Sequence, residues 1–147
     1  MTARPLAERE QRLLAELIEA EHAALYGYGV LGARLDVATR PAAQAAAGAH
    51  RSARDRLAGL IRDGGAEPPA PLPAYDVAVA TQQAALELAV ALEEGLSVRW
   101  LDLVGGTDDF GLRRVGVDGL TDTAVRATSW RRLLGRMPST VPLPGSA

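Results

Sequence analysis

Cysteine is absent from the 147 residues, which removes disulfides, iron–sulfur clusters, thiolate zinc sites and cysteine nucleophiles. Lysine is absent as well, so all 16 cationic side chains are arginine. Arginine codons are GC-rich, and an all-arginine, alanine-rich chain is what a GC-rich genome writes. Aromatic residues are few, with alanine, leucine and arginine dominating instead. The formal net charge is only -2, with acidic and basic residues interleaved. No basic face for nucleic acid or an anionic membrane stands out. No apolar run approaches the roughly 20 residues of a membrane span, because Arg, Glu or Asp interrupts every candidate. The first ten residues are charged and carry no apolar stretch of the kind a secretory signal needs. The expectation is a cytoplasmic protein without nucleic-acid or membrane partners.

The most informative feature present is a break of twelve residues, 64–75, reading Gly-Gly-Ala-Glu-Pro-Pro-Ala-Pro-Leu-Pro-Ala-Tyr. Proline-rich chain extends by roughly 3.1 Å per residue, so this segment reaches about 37 Å. A helix of about 24 residues, rising 1.5 Å each, is about 36 Å long. An ordinary turn between bundle helices needs only about 2 to 8 residues. The break is therefore long enough to run the length of a bundle, and it predicts two antiparallel helical hairpins joined by one crossover. At this length one domain is expected over 1–147, with the bundle over 6–136, the crossover over 64–75 and an extended tail over 137–147.

Helical periodicity fills both halves. A first helix is expected from Leu6 to Leu35, with an inward seam of Leu14, Ile18, Glu21, Leu25, Tyr28, Gly32 and Leu35 at steps of three and four. Asp36 or Thr39 can cap a second helix, and Pro41 suits its first turn. The seam there is Ala42, Ala46, His50, Ala53, Leu57 and Ile61, and Gly64-Gly65 ends it. A third helix is expected from Asp76 to Val104 along Leu86, Val90, Glu93, Ser97, Trp100 and Val104. Thr107 then caps a fourth helix running to Arg136, with Asp108 and Asp109 complementing the dipole of its first turn. Gly111, Gly116 and Gly119 weaken its first half or admit a neighbouring backbone. Trp100 and Trp130 read as packing anchors.

Glu21, His50 and Glu93 occupy seam positions where Leu or Ala belongs, and a buried charge must be paired, bind a metal or be neutralised. Counted from the hairpin turns, these three and the acids Asp118 and Asp122 all fall near mid-height, to within about one helical turn of 5.4 Å. Two readings follow. In the first, Glu21, His50, Glu93 and Asp122 join a buried polar network whose cations are Arg54, one turn beyond His50, and Arg126, one turn beyond Asp122. In the second, Glu21, His50, Glu93 and Asp122 hold iron or manganese as a mononuclear site. Carboxylate-bridged di-metal bundles place Glu on two helices and Glu-x-x-His on the other two. The chain departs from that pattern, with Ala47 where a Glu should precede His50 and no His in the fourth helix. A third expectation is a ligand cavity beneath the crossover lined by Tyr28, Trp100 and Trp130.

Several stretches carry a family likeness: Glu21-His-Ala-Ala-Leu-Tyr-Gly-Tyr-Gly29, Ala49-His-Arg-Ser-Ala-Arg-Asp-Arg-Leu57, the Gly-Ala-Glu-Pro-Pro-Ala-Pro segment and Ala124-Val-Arg-Ala-Thr-Ser-Trp130 with its proline-rich ending. Together they resemble an actinobacterial family of ferritin-like domains whose function is not established. The resemblance spans nearly the whole chain and implies an all-α, ferritin-like four-helix bundle. It brings with it no catalytic or metal residues. The expected function is that of an interaction or assembly protein with no cofactor and no di-iron site, paired as a homodimer. The alternative is a metal-dependent ferritin-like oxidoreductase with a reduced carboxylate and histidine site.

Overall fold

A computed structural model of the chain describes residues 4–146. Four helices carry it: α1 (Glu8–Gly32), α2 (Arg40–Asp63), α3 (Gln82–Gly106) and α4 (Phe110–Leu133). No described residue lies in a strand. None of the described helices is long and apolar enough to cross a membrane.

The contacts at the helix ends fix the direction of each rod. Leu6 N donates to Gly64 O, so α2 ends beside the start of α1 and the pair is antiparallel. Arg34 Nε donates to Val79 O and Asp36 N to Gln82 Oε1, so α3 starts where α1 ends. At the opposite end the Thr107 hydroxyl donates to Glu10, which sets the foot of α3 beside the start of α1. Helices α2 and α3 thus run in parallel, and the segment between them must travel the full height of the bundle. α1 packs against both α2 and α3, and α4 packs against α3.

Two boundaries differ from the sequence reading. The helix-free stretch runs from Gly64 to Thr81, six residues beyond the expected crossover of 64–75. Residues 76–81 lie outside any helix, with Thr81 extended, Val79 buried and Val77 packed against the same apolar cluster. Alternate side chains of an extended chain share one face, which a helix would not provide at that spacing. Thr81 is the cap that starts α3, its hydroxyl accepting from Ala84 N at 3.1 Å. At the second turn, Asp109 and not Thr107 caps α4, accepting from Leu112 N at 2.8 Å. Thr107 ends α3 instead, because its hydroxyl is drawn to the buried carboxylate of Glu10 at 2.6 Å. Helix α1 starts at Glu8 and α4 ends at Leu133, slightly inside the expected limits.

The apolar interior falls into two clusters. One holds Leu14, Leu17, Ile18, Leu57, Ile61, Trp100 and Leu103 near the α3–α4 turn. The other holds Tyr28, Leu31, Leu35, Ala46, Leu86, Val90 and Trp130 near the α1–α2 turn. Between them lies a layer of buried polar side chains. The lower cluster depends on a close approach of α4 to Trp100. A Cβ built at Gly119 would lie 2.3 Å from the Trp100 ring. Gly59 on α2 meets nothing within 4 Å.

These two glycines should respond oppositely to the same change. Gly119→Ala is expected to destabilise the protein by about 1–3 kcal/mol through overpacking. Gly59→Ala should stabilise it by up to about 1 kcal/mol through helix propensity. Urea unfolding of both variants checks this, and a shift of both in one direction would remove Trp100 from beside Gly119.

Candidate functional site

The polar layer is assembled from all four helices. Glu21 and Tyr28 lie seven residues apart on α1, two turns along one face. His50 comes from α2, Glu93 and Ser97 from α3, and Thr123, Arg126 and Trp130 from α4. Glu21, His50 and Glu93 are each 0% exposed. The imidazole of His50 lies between the two acids, with Nδ1 2.7 Å from Glu21 Oε2 and Nε2 2.9 Å from Glu93 Oε1. Carboxylates only accept hydrogen bonds, so both ring nitrogens donate. Arg126 Nε donates to both oxygens of Glu93, at 3.0 and 3.1 Å. The Tyr28 hydroxyl donates to Glu93 Oε1 at 2.6 Å and accepts from Trp130 Nε1 at 2.8 Å. Beside this, Ser97 Oγ donates to the Thr123 hydroxyl at 2.9 Å.

Burial on its own disfavours a charged imidazole. The hydrogen bonds and charges of Glu21 and Glu93 outweigh it, and His50 is pushed up to about 9. At neutral pH it is an imidazolium. Two carboxylates then face an imidazolium and a guanidinium, and the four formal charges cancel. Burial, followed by the charge of Glu93, raises Tyr28 well above the usual phenol range, so it stays a neutral donor. Chemically the layer is a hydrogen-bonded relay from Trp130 through Tyr28, Glu93 and His50 to Glu21. Glu21 Oε1 is the one carboxylate oxygen in it without a partner among the described residues.

The donors do not fit a metal as they stand. The two nitrogens of an imidazole point away from each other, and each faces a different acid. Glu21 and Glu93 therefore lie on opposite edges of the His50 ring and share no centre with it. Arg126 covers the other side of Glu93. Among the described residues no group of three His, Asp or Glu side chains offers such a centre.

Of the six network candidates, the structure brings together Glu21, His50, Glu93 and Arg126, and leaves out Arg54 and Asp122. Arg54 turns along its own helix to Asp55 Oδ1, with Nε at 2.9 Å and Nη2 at 2.7 Å. The imidazolium already supplies the cation that Glu21 requires. Asp122 is exposed, as is Asp118. The inward positions of α4 are Thr123, Ala127 and Trp130, which leaves residue 122 about 100° away on the helix, given 3.6 residues per turn. The four-residue metal set is not assembled either, since Asp122 is missing from it.

The cavity beneath the crossover also differs from the expectation. It is lined by His22, Arg54, Arg62, Glu67 and prolines, not by Tyr28 and the two tryptophans. Trp130 packs on Tyr28, whereas Trp100 belongs to the opposite cluster. A second polar group escaped the sequence reading. Glu10, 4% exposed, accepts from Arg4 Nη2 at 2.7 Å and from Thr107 at 2.6 Å. These partners, Arg4 first, hold its carboxyl down to about 2 despite burial. The available signal was that Glu10 lies four residues before Leu14, on the same seam as Glu21.

The family model described as a domain of unknown function, DUF4439, matches residues 14–147. No curated relative matches the chain. A conserved hypothetical protein, Rv2844 of Mycobacterium tuberculosis, superposes with a TM-score of 0.84 at 27% identity, over 88% of this chain and 99% of that one. Two further structures share the fold. Hypothetical protein MJ0754 of Methanococcus jannaschii gives a TM-score of 0.79 at 15% identity, over 100% and 91% of the two chains. A structure described as ferritin-like, diiron-carboxylate proteins, from Bacillus anthracis, gives 0.74 at 18%, over 88% and 99%. The four-helix arrangement is therefore ferritin-like.

Two outcomes are expected of the buried layer. Glu21→Gln should lower stability by about 1–3 kcal/mol by weakening a buried charged hydrogen bond. An unchanged melting temperature would mean that Glu21 does not face His50. For His50 the folded value lies above the ordinary 6.5, so its contribution is complete below 6.5 and is lost as pH rises through about 9. At 1.36 kcal/mol per pKa unit the loss is about 3 kcal/mol. Unfolding free energies measured across that window should fall for the wild type and much less for His50→Gln; parallel profiles would show that His50 carries no charge.

Proposed function

The chain belongs to the DUF4439 family, and we propose that it is a ferritin-like bundle whose centre works without a di-iron pair and which acts as an interaction or assembly protein. One observation carries this reading: His50 spans Glu21 and Glu93, with a nitrogen directed at each. In a diiron-carboxylate bundle, metal cations balance the inward acids. Here a protonated imidazole and the Arg126 guanidinium balance the two buried acids from within the chain.

The interaction role draws on the surface. Phe110, Val117 and Val125 of α4 are exposed, as are Met137 and Leu143 of the tail, and exposed apolar side chains gathered on one element mark contact surfaces. A homodimer is the proposed assembly, closed two-fold pairs being the commonest. A cytoplasmic location and an actinobacterial source belong to the same reading. They draw on the composition and on the likeness to the Mycobacterium tuberculosis protein.

One observation favours a second reading, a metal-dependent oxidoreductase using Glu21, His50 and Glu93. Glu21 Oε1 is buried and without a partner among the described residues, and an acceptor in that state would suit a cation. It would require the imidazole to leave its place between the acids, and it includes no acid from α4.

Elemental analysis of protein produced in iron- and manganese-supplemented medium separates the two. The metal-free reading expects well under one equivalent of either metal, unchanged by Glu21→Ala. Stoichiometric iron or manganese that disappears in Glu21→Ala would overturn it.

A further inference from the structure

The seam between α2 and α4 is the least sealed in the bundle. Close packing joins α1 to α2, α1 to α3 and α3 to α4, whereas α2 and α4 meet sparsely. A groove of about 280 Å³ lies there. Ala42, Ala45, Ser129 and Leu133 form its exposed walls, and the buried Ala46 and Trp130 form its floor. Its remaining lining residue is Arg126, one turn from Trp130 toward the buried layer.

Arg126 is only partly used by that layer. A guanidinium carries five N–H donors. The Nε–H is directed at Glu93, while Nη1 and Nη2 have no partner among the described residues. The side chain is 22% exposed and lines the groove, and its terminal groups lie beyond the Nε that is held at Glu93. The site is thus an apolar trough with a cationic fork at its inner end.

We propose that this groove binds a small amphiphilic carboxylic acid, its apolar body along Ala42, Ala45, Ala46 and Leu133 and its carboxylate on the terminal nitrogens of Arg126. The planar fork matches a carboxylate through two parallel hydrogen bonds. The formal charges of the buried layer already cancel, so a bound anion adds its whole charge beside Arg126, which favours one negative charge over more. A phosphate, carrying roughly -1.5 to -2 near neutral pH, would exceed that. The volume lies just below the usual span of ligand clefts, roughly 300–1,000 Å³, which selects a single short chain over a two-chain lipid. The inference goes beyond the metal-free reading and does not depend on it, because its test is blind to metal content.

Sodium octanoate and 1-octanol, titrated separately into the full chain by calorimetry, test it. Octanoate should bind one saturable site at least about tenfold more tightly than 1-octanol, a difference that Arg126→Gln abolishes. Ala45→Phe fills the groove from an exposed wall without touching Glu93, and it should remove octanoate binding. If Arg126→Gln does not fold, Ala45→Phe decides the matter. Absence of saturable octanoate binding, equal affinity for the alcohol, or undiminished binding to Ala45→Phe would each overturn the proposal.

Discussion

A charged imidazole held between two carboxylates in a closed interior tolerates very little displacement. Each of these groups alone would be costly to bury, by several kcal/mol per ion. Each is compensated only while its partners, on other helices, stand at one height. The geometry requires α1, α2, α3 and α4 simultaneously, because Glu21, His50, Glu93 and Arg126 come one from each. Sliding any helix by one turn, about 5.4 Å, would leave an ion without its counter-charge. The aliphatic clusters above and below supply most of the apolar burial, but leucine and alanine surfaces accept several registers. The polar layer admits one. Its contribution is to specify the alignment more than to add stability, the role best attested for buried polar groups in helical assemblies.

Within one architecture, buried acids can be met by different positive groups. Bundles of this connectivity gather inward acids at mid-height, and something positive has to meet them. A metal ion binds reversibly and depends on supply, whereas His50 and Arg126 are fixed in the chain. The fold alone does not decide which solution is used. What separates them is the direction of the donor atoms, and an imidazole with a nitrogen on each acid cannot also turn both acids toward a common point.

Much of this was legible in the residues. The Gly-Gly start and proline-rich course of the crossover, set against helix length, implied parallel α2 and α3 before any coordinates. Glu21, His50 and Glu93 stood out because each interrupts an apolar seam with a residue that cannot be buried alone. The errors have physical causes. Asp122 and Thr123 differ by one position, and only the Ser97 hydroxyl across the seam shows which faces inward. Arg54 could reach either along its own helix or across to α1, and the nearer Asp55 took it. Thr107 and Asp109 are both good caps, and a tertiary bond to Glu10 decided between them. The alternation of Val77 and Val79 was an available period-two signal that the expected helix start at Asp76 overrode.

The crossover also bears on how the halves are held together. It lies along α1, where His22 Nε2 meets Pro69 O at 3.1 Å and the rings of Tyr26 and Tyr75 stand 5.3 Å apart. Each hairpin closes on itself through a short link, and the strap between them makes no ladder of its own. A cut near the exposed Leu72 would therefore leave two hairpins that face each other across a shared core and a salt-linked surface. In that sense the molecule is a pair of hairpins made permanent by a leash, and the leash acts by raising the concentration of one half around the other.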